Sequence, residues 1–219
     1  MTDYAQMNQA LFEGQHETVK QMTETALAEG RAPNEVLEEG LIAGMTVVGE
    51  DFKHNRIFVP EVLLAARAMK AGMAVLQPLL TDRSGASTSA GTIVMGTVKG
   101  DLHDIGKNLV GMMAEGAGFT IVDLGTDTSA ERYIEAVRKH NANILGMSAL
   151  LTTTMIYMRT VVQEMKAAGL AHVKICVGGA PVTGDYATQI GADGYAADAA
   201  SAVELFKRLV AQQTTPASA

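Results

Sequence analysis

Thr92-Ile93-Val94-Met95-Gly96 and, four residues on, Asp101-Leu102-His103-Asp104-Ile105-Gly106 form an apolar strand that runs straight into a polar turn. A helix carrying apolar Ile105, Leu109, Met112 and Met113 leaves that turn. A strand that feeds a helix through a short loop is the first half of a parallel βαβ unit. His103 then lies on the loop at the carboxyl end of a strand, where open α/β sheets place their ligands.

Downstream, the same alternation repeats. Short apolar strands are expected at Thr120 to Asp123, Ile144 to Ser148, Val173 to Val177 and Gly194 to Ala196. Helices are expected at 105–117, 130–140, 154–168, 183–190 and 199–212. Strands this apolar need cover on both faces, as a parallel sheet flanked by helices provides. The expected domain, residues 91–219, is a flavodoxin/Rossmann-like five-stranded parallel sheet, with a disordered tail from Gln212 to Ala219.

Upstream, the period changes. Tyr4, Met7 and Leu11 share a helix face, as do Val19, Met22 and Ala26. Pro33 opens a third helix with Leu37, Leu41, Met45, Val48 and Phe52 on one side. Pro60 opens a fourth with Val62, Ala66, Met69, Met73 and Leu76. Spacings of three and four are helical, and proline suits a first turn. Residues 1–80 therefore read as a four-helix bundle. Gly14 and Gly30 read as turns, and Gly40, Gly44 and Gly49 as sites of close helix approach. Thr81 to Ala90 (TDRSGASTSA) has no periodicity and reads as a linker.

Composition narrows the function. The chain has a net charge of −7 and no dense basic cluster, so no nucleic-acid partner is expected. No apolar run reaches the ~20 residues of a membrane span, and Met1-Thr2-Asp3-Tyr4 does not begin a secretory signal. With a single cysteine, Cys176, the expected location is cytoplasmic. Cys176 falls in an apolar strand and reads as a small buried hydrophobe.

Gly106 is followed by 41 residues and then Ser148-Ala149-Leu150; 27 residues further stands Gly178-Gly179. This Asp-x-His-x-x-Gly, Ser-x-Leu, Gly-Gly spacing resembles the cobalamin-binding signature of methionine synthase and of the corrinoid methyl-carrier proteins. Val98-Lys99-Gly100, the run from Ser148 to Met155 and Gly-Gly-Ala-Pro-Val at 178–182 extend the likeness to the stand-alone carriers. It covers about residues 3 to 212.

The resemblance implies a set of roles. His103 takes the lower axial position of the corrin cobalt, and Asp101 holds its ring, as carboxylates commonly do for metal-bound histidine. Gly100 and Gly106 let the backbone approach the macrocycle, with Leu102 and Asp104 in the same motif. A relay hydroxyl, a serine in methionine synthase, is Thr154 here. Ser148, Leu150 and Thr152 serve the corrin amides and nucleotide tail, while Gly178 and Gly179 leave room for its base. Ala199 packs at the corrin edge. From the helical region, Phe52, Val59 and Val62 match the apolar contacts of a cap over the upper face. Without the rest of the pattern, Asp101 or Asp104 is a helix cap and Gly178-Gly179 a turn.

The expectation is a methyl carrier binding methylcobalamin and cob(I)alamin, not a complete enzyme alone. Its implied partners are a substrate:corrinoid methyltransferase, a methylcorrinoid:acceptor methyltransferase serving tetrahydrofolate or a thiol, and a reductive activator. An adenosylcobalamin mutase subunit, a cobalamin-responsive regulator and a non-corrinoid flavodoxin-like domain are the alternatives.

Overall fold

The computed structural model describes residues 2–81 and 89–214. Most of the expected linker, residues 82–88, lies outside them, as do residues 215–219. The chain divides into two compact units, Met1–Ser89 with Glu115–Gly118, and Ala90–Ala114 with Phe119–Ala219.

The first unit is helical: α1 (Tyr4–Phe12), α2 (His16–Ala28), a continuous run of α3 (Pro33–Glu35), a π-helical stretch (Val36–Ile42) and α4 (Ala43–Lys53), then α5 (Val59–Thr81). Asp3 caps α1 by accepting from the Ala5 and Gln6 N–H groups. Gly14 and Gly30 turn the chain with positive φ. The expected apolar faces point inward: Met7, Leu11, Val19, Leu41, Met45, Val48, Val62 and Leu76 are all buried. A Cβ at Gly40 would stand 2.5 Å from the Met7 sulfur, so these helices meet at a distance only glycine allows. The π stretch is a departure from the uniform third helix expected from Pro33 onward.

The second unit is a five-stranded parallel sheet of β1 (Thr92–Thr97), β2 (Thr120–Asp123), β3 (Ile144–Ser148), β4 (Lys174–Gly178) and β5 (Gly194–Tyr195), in the order β2-β1-β3-β4-β5. This is the flavodoxin-like doubly wound order, which reverses direction between β1 and β3. Ile93 pairs with Ile144 and Thr97 with Ser148, so β1 and β3 end level with each other. The helices are α6 (Ile105–Gly116), α7 (Ala130–His140), α8 (Thr152–Met155), α9 (Tyr157–Ala167), α10 (Gly184–Ile190) and α11 (Ala199–Thr214). A core containing Val94, Leu145, Tyr133, Met158, Val161 and Met165 fills one side of the sheet.

Strand ends differ slightly from expectation, β1 reaching Thr97 and β4 spanning Lys174–Gly178, and two larger departures concern helices. The helix expected at 154–168 is broken at Ile156, so Thr154 sits in a separate single turn. Residues 212–214, expected in a disordered tail, continue α11. Among the described residues, no helix is long and apolar enough to cross a membrane.

Candidate functional site

The chain leaves β1 toward β2 and β3 toward β4, so the loops after their carboxyl ends flank the switch point of the sheet, where doubly wound folds open a crevice. His103 comes from the loop after β1, and Leu150 to Thr154 from the loop and turn after β3.

Asp101 lies at the centre of this site and is fully buried. Its Oδ1 accepts the His103 N–H at 3.0 Å and faces His103 Nδ1 at 2.8 Å. Its Oδ2 accepts the Leu150 N–H at 2.8 Å, the Leu151 N–H at 3.3 Å and the Thr154 hydroxyl at 2.6 Å. Burial alone would raise this carboxyl, but the hydrogen bonds from Thr154, Leu150 and His103 outweigh it. Together they hold Asp101 well below the usual carboxylate range. An ionised Asp101 is an acceptor only, which places the imidazole proton on Nδ1 and the lone pair on Nε2.

The loop is fixed further by Thr97, which is buried and donates its hydroxyl to the His103 carbonyl at 3.1 Å. The imidazole itself is 52% exposed. Around it stand apolar side chains that folding leaves in solvent: Leu102 at 72% and Ile105 at 81%, with Leu150 and Leu151 also exposed. A Cβ added at Gly106 would meet nothing within 4 Å. The result is a polar nitrogen in an open apolar surface, suited to a flat, largely apolar ligand. Among the described residues, no group of three or more His, Cys, Asp or Glu is placed to hold a bare metal ion. A lone imidazole suits a metal that brings its own equatorial donors, as a corrin does, and the donor set fits that group.

The other residues singled out in the sequence are placed as follows. Ser148 ends β3 half-buried, and its carbonyl accepts the Val98 N–H at 3.0 Å. Thr152 is exposed at the start of α8. Gly178 ends β4, and its carbonyl accepts the Ala149 N–H at 3.3 Å. Gly179 has φ +117, and a Cβ there would fall 1.9 Å from the Ala149 carbonyl oxygen, so the backbones after β3 and β4 come too close for any side chain. Ala199 is buried at the start of α11. Gly100 is exposed with positive φ, and Asp104 accepts from the Asn108 side chain. In the helical unit, Phe52 is half-buried, Val59 is exposed and Val62 is fully buried. Cys176 is buried in β4, and burial pushes its thiol up to about 12.

Three participants, Leu151, Thr97 and Asp127, escape a reading of side-chain motifs. Leu151 acts on Asp101 through its backbone N–H, as does Leu150, which the Ser-x-Leu element singles out for its side chain. Thr97 carries no signal within an apolar strand. Asp127 reads as an ordinary turn residue, yet its side chain accepts the Gly100 N–H at 2.7 Å.

The chain is similar to known proteins over most of its length. A B12 binding domain model matches residues 91–204, and a second B12 binding domain model matches residues 4–77. The chain is 41% identical over 207 residues to trimethylamine corrinoid protein 2 of Methanosarcina acetivorans, covering 94% of this chain and 95% of that one. It is similar to a chain of the methanol:cobalamin methyltransferase complex of Methanosarcina barkeri, with TM-score 0.83, 31% identity, and coverage of 94% of this chain and 78% of that one. It is also similar to a cobalamin-binding protein of Desulfitobacterium hafniense, with TM-score 0.77, 32% identity, and coverage of 95% and 99%.

Proposed function

The chain belongs to the cobalamin-binding corrinoid proteins of methyltransferase systems, and on that premise we propose that it holds cobalamin with His103 as lower axial ligand and carries a methyl group between two methyltransferases. The observation that carries this reading is the hydrogen-bonded line Thr154–Asp101–His103, which engages Nδ1 and leaves Nε2 free on a half-exposed ring, in a segment whose Leu102 and Ile105 are also exposed. When bound, the corrin supplies a cobalt centre that can accept and release a methyl group, the hard chemistry in such systems.

The chain's own residues orient and tune. Asp101 keeps the Nδ1 proton in place, so Nε2 is the coordinating atom. Thr154 and the Leu150 N–H keep Asp101 ionised, so it remains an acceptor for the Nδ1 proton. The exposed Leu102, Ile105 and Leu150 would supply apolar contact to a bound corrin, and Gly106 would leave its approach open. Ser148, Thr152, Gly178, Gly179 and Ala199 are assigned to the cofactor's edge and nucleotide tail. Within residues 1–80, Phe52 and Val59 keep surface for an apolar contact, and Val62 serves the packing of that unit. The first methyltransferase acts on the methyl donor and the second on a tetrahydrofolate or thiol acceptor, with a reductive activator restoring the carrier.

The test is the visible spectrum of the full chain reconstituted with methylcobalamin, beside His103→Ala. A histidine-ligated spectrum in the wild type that becomes base-off in the variant supports the reading. Identical spectra reject it.

A further inference from the structure

The end of β2 and the turn that follows it lie outside the three-part sequence pattern, yet together they hold the His103 segment at both ends. At the near end, Asp127 Oδ1 accepts the Gly100 N–H at 2.7 Å, and the Asp127 N–H donates to the Asp101 carbonyl at 3.0 Å. At the far end, Lys107 Nζ donates to both oxygens of Asp123 at 2.6 Å and to Asn108 Oδ1 at 2.7 Å. The Asn108 amide in turn donates to Asp104 Oδ2 at 3.0 Å. The turn is itself tied to β1, since the Gly125 carbonyl accepts the Thr97 N–H at 2.9 Å.

Both contacts use groups that a simple turn does not need. Lys107 is 3% exposed, and removing an ammonium from water is costly unless its partners are well placed. Asp127 has φ +49, a left-handed conformation that side chains adopt with strain, although aspartate tolerates it better than most. Among the described residues, the imidazole of His103 has one side-chain partner, Asp101. Asp101 lies within the segment that Asp127 grips, so any shift of the Gly100–Asp101 peptide carries the imidazole with it.

We propose that Asp123 and Asp127 are positioning residues, a two-point clamp through which the β2 turn sets the height and tilt of His103. This rests on the reading of His103 as axial ligand. The clamp acts on the ligand's placement, where shifts of about 1 Å are costly, and it touches neither cobalt nor the transferred group.

The experiment reconstitutes the full chain with methylcobalamin and reads the ratio of histidine-ligated to base-off cofactor, with Tm measured alongside. Asp127→Gly suits the left-handed conformation but removes the acceptor. It is expected to keep Tm within a few degrees and to lower the ratio about tenfold, the scale of one hydrogen bond to a charged acceptor. Asp127→Asn keeps an oxygen and the backbone tolerance, and restores most of the ratio. Lys107→Met removes the far contact, leaving Asp123 to solvent, and lowers the ratio similarly; it decides the matter if Asp127→Gly does not fold. Wild-type ratios in both variants overturn the clamp, as does a fall in Tm with the ratio unchanged, which marks a purely structural role. A wild type that is not histidine-ligated overturns the axial reading itself, before any variant is compared.

Discussion

Replacing Asp101 with asparagine changes which imidazole nitrogen carries the proton. Five donors converge on the carboxylate: the His103 N–H and Nδ1 at one oxygen, and the Leu150 N–H, Leu151 N–H and Thr154 hydroxyl at the other. Asparagine keeps only one oxygen. If its NH2 faces Leu150 and Leu151, two backbone N–H groups lose their acceptor. If it faces His103, one N–H loses its acceptor and the imidazole can adapt by accepting at Nδ1. The second arrangement wins, and it sends the imidazole proton to Nε2. One unpaired donor and the loss of charge on the remaining bonds cost about 2–3 kcal/mol. At a few degrees per kcal/mol in a chain of this size, Tm falls by about 4–12 °C. An Nε2 that carries a proton has no lone pair for a metal, so the variant reconstituted with methylcobalamin shows a base-off spectrum. Thermal unfolding and the visible spectrum together check this. A variant within about 2 °C of wild type and fully histidine-ligated refutes the reasoning. Lost stability with unchanged ligation refutes the tautomer step alone.

Thr154→Val removes the donor to Asp101 Oδ2 and lowers stability by about 1.5–3 kcal/mol, while Thr154→Ser recovers most of it; urea unfolding measures both. The folded-state proton affinity of Asp101 is depressed, so its contribution to stability is present above the unfolded-state carboxyl value near ~4 and is lost as pH falls toward the folded-state value. Unfolding free energy followed from pH 6 downward is therefore expected to fall less steeply in Asp101→Asn than in wild type (about 6 being a start above both values). Gly179→Ala drives a Cβ into the Ala149 carbonyl and is expected to abolish soluble expression or cost over ~4 kcal/mol. Gly106→Ala meets no neighbour and leaves Tm unchanged or raised, yet it weakens methylcobalamin retention, measured by gel filtration. Cys176, buried and with its thiol pushed up to about 12, is expected to resist iodoacetamide until the chain is unfolded.

Much of this architecture was legible because the physics is local. β1 and β3 are short, mainly apolar runs without a charged residue, and the period changes visibly between the helical and alternating regions. His103 and Asp101 stand two residues apart, so their pairing needs no knowledge of the fold. Thr154 was legible only through the resemblance, since 53 residues separate it from Asp101. What remained hidden acts through backbone or through tertiary proximity. The N–H groups of Leu150 and Leu151 exist at almost any residue. The left-handed Asp127 is visible only as a turn former, and the Asp123 partnership with Lys107 only once β2 lies beside β1. The π-helical stretch at Val36–Ile42 preserves the three-and-four spacing of its apolar residues, so the sequence gives no sign of it. The break at Ile156 is equally silent, with no glycine or proline to mark it.

The strand order has a consequence for assembly of the site. β1 pairs with β3 across the whole β2–α7 excursion, so Asp101 and Thr154 cannot meet until a non-local strand pair has formed. Such pairings form slowly, because loop closure must precede the contacts that reward it. An extended or half-folded chain carries Asp101 beside the histidine but without its Leu150, Leu151 and Thr154 donors, and it offers a large flat ligand little to hold. Cofactor capture is then an event of the native state, and the cofactor in turn acts as a thermodynamic weight on that state: each tenfold excess of free ligand over its Kd adds about 1.4 kcal/mol to the folded side.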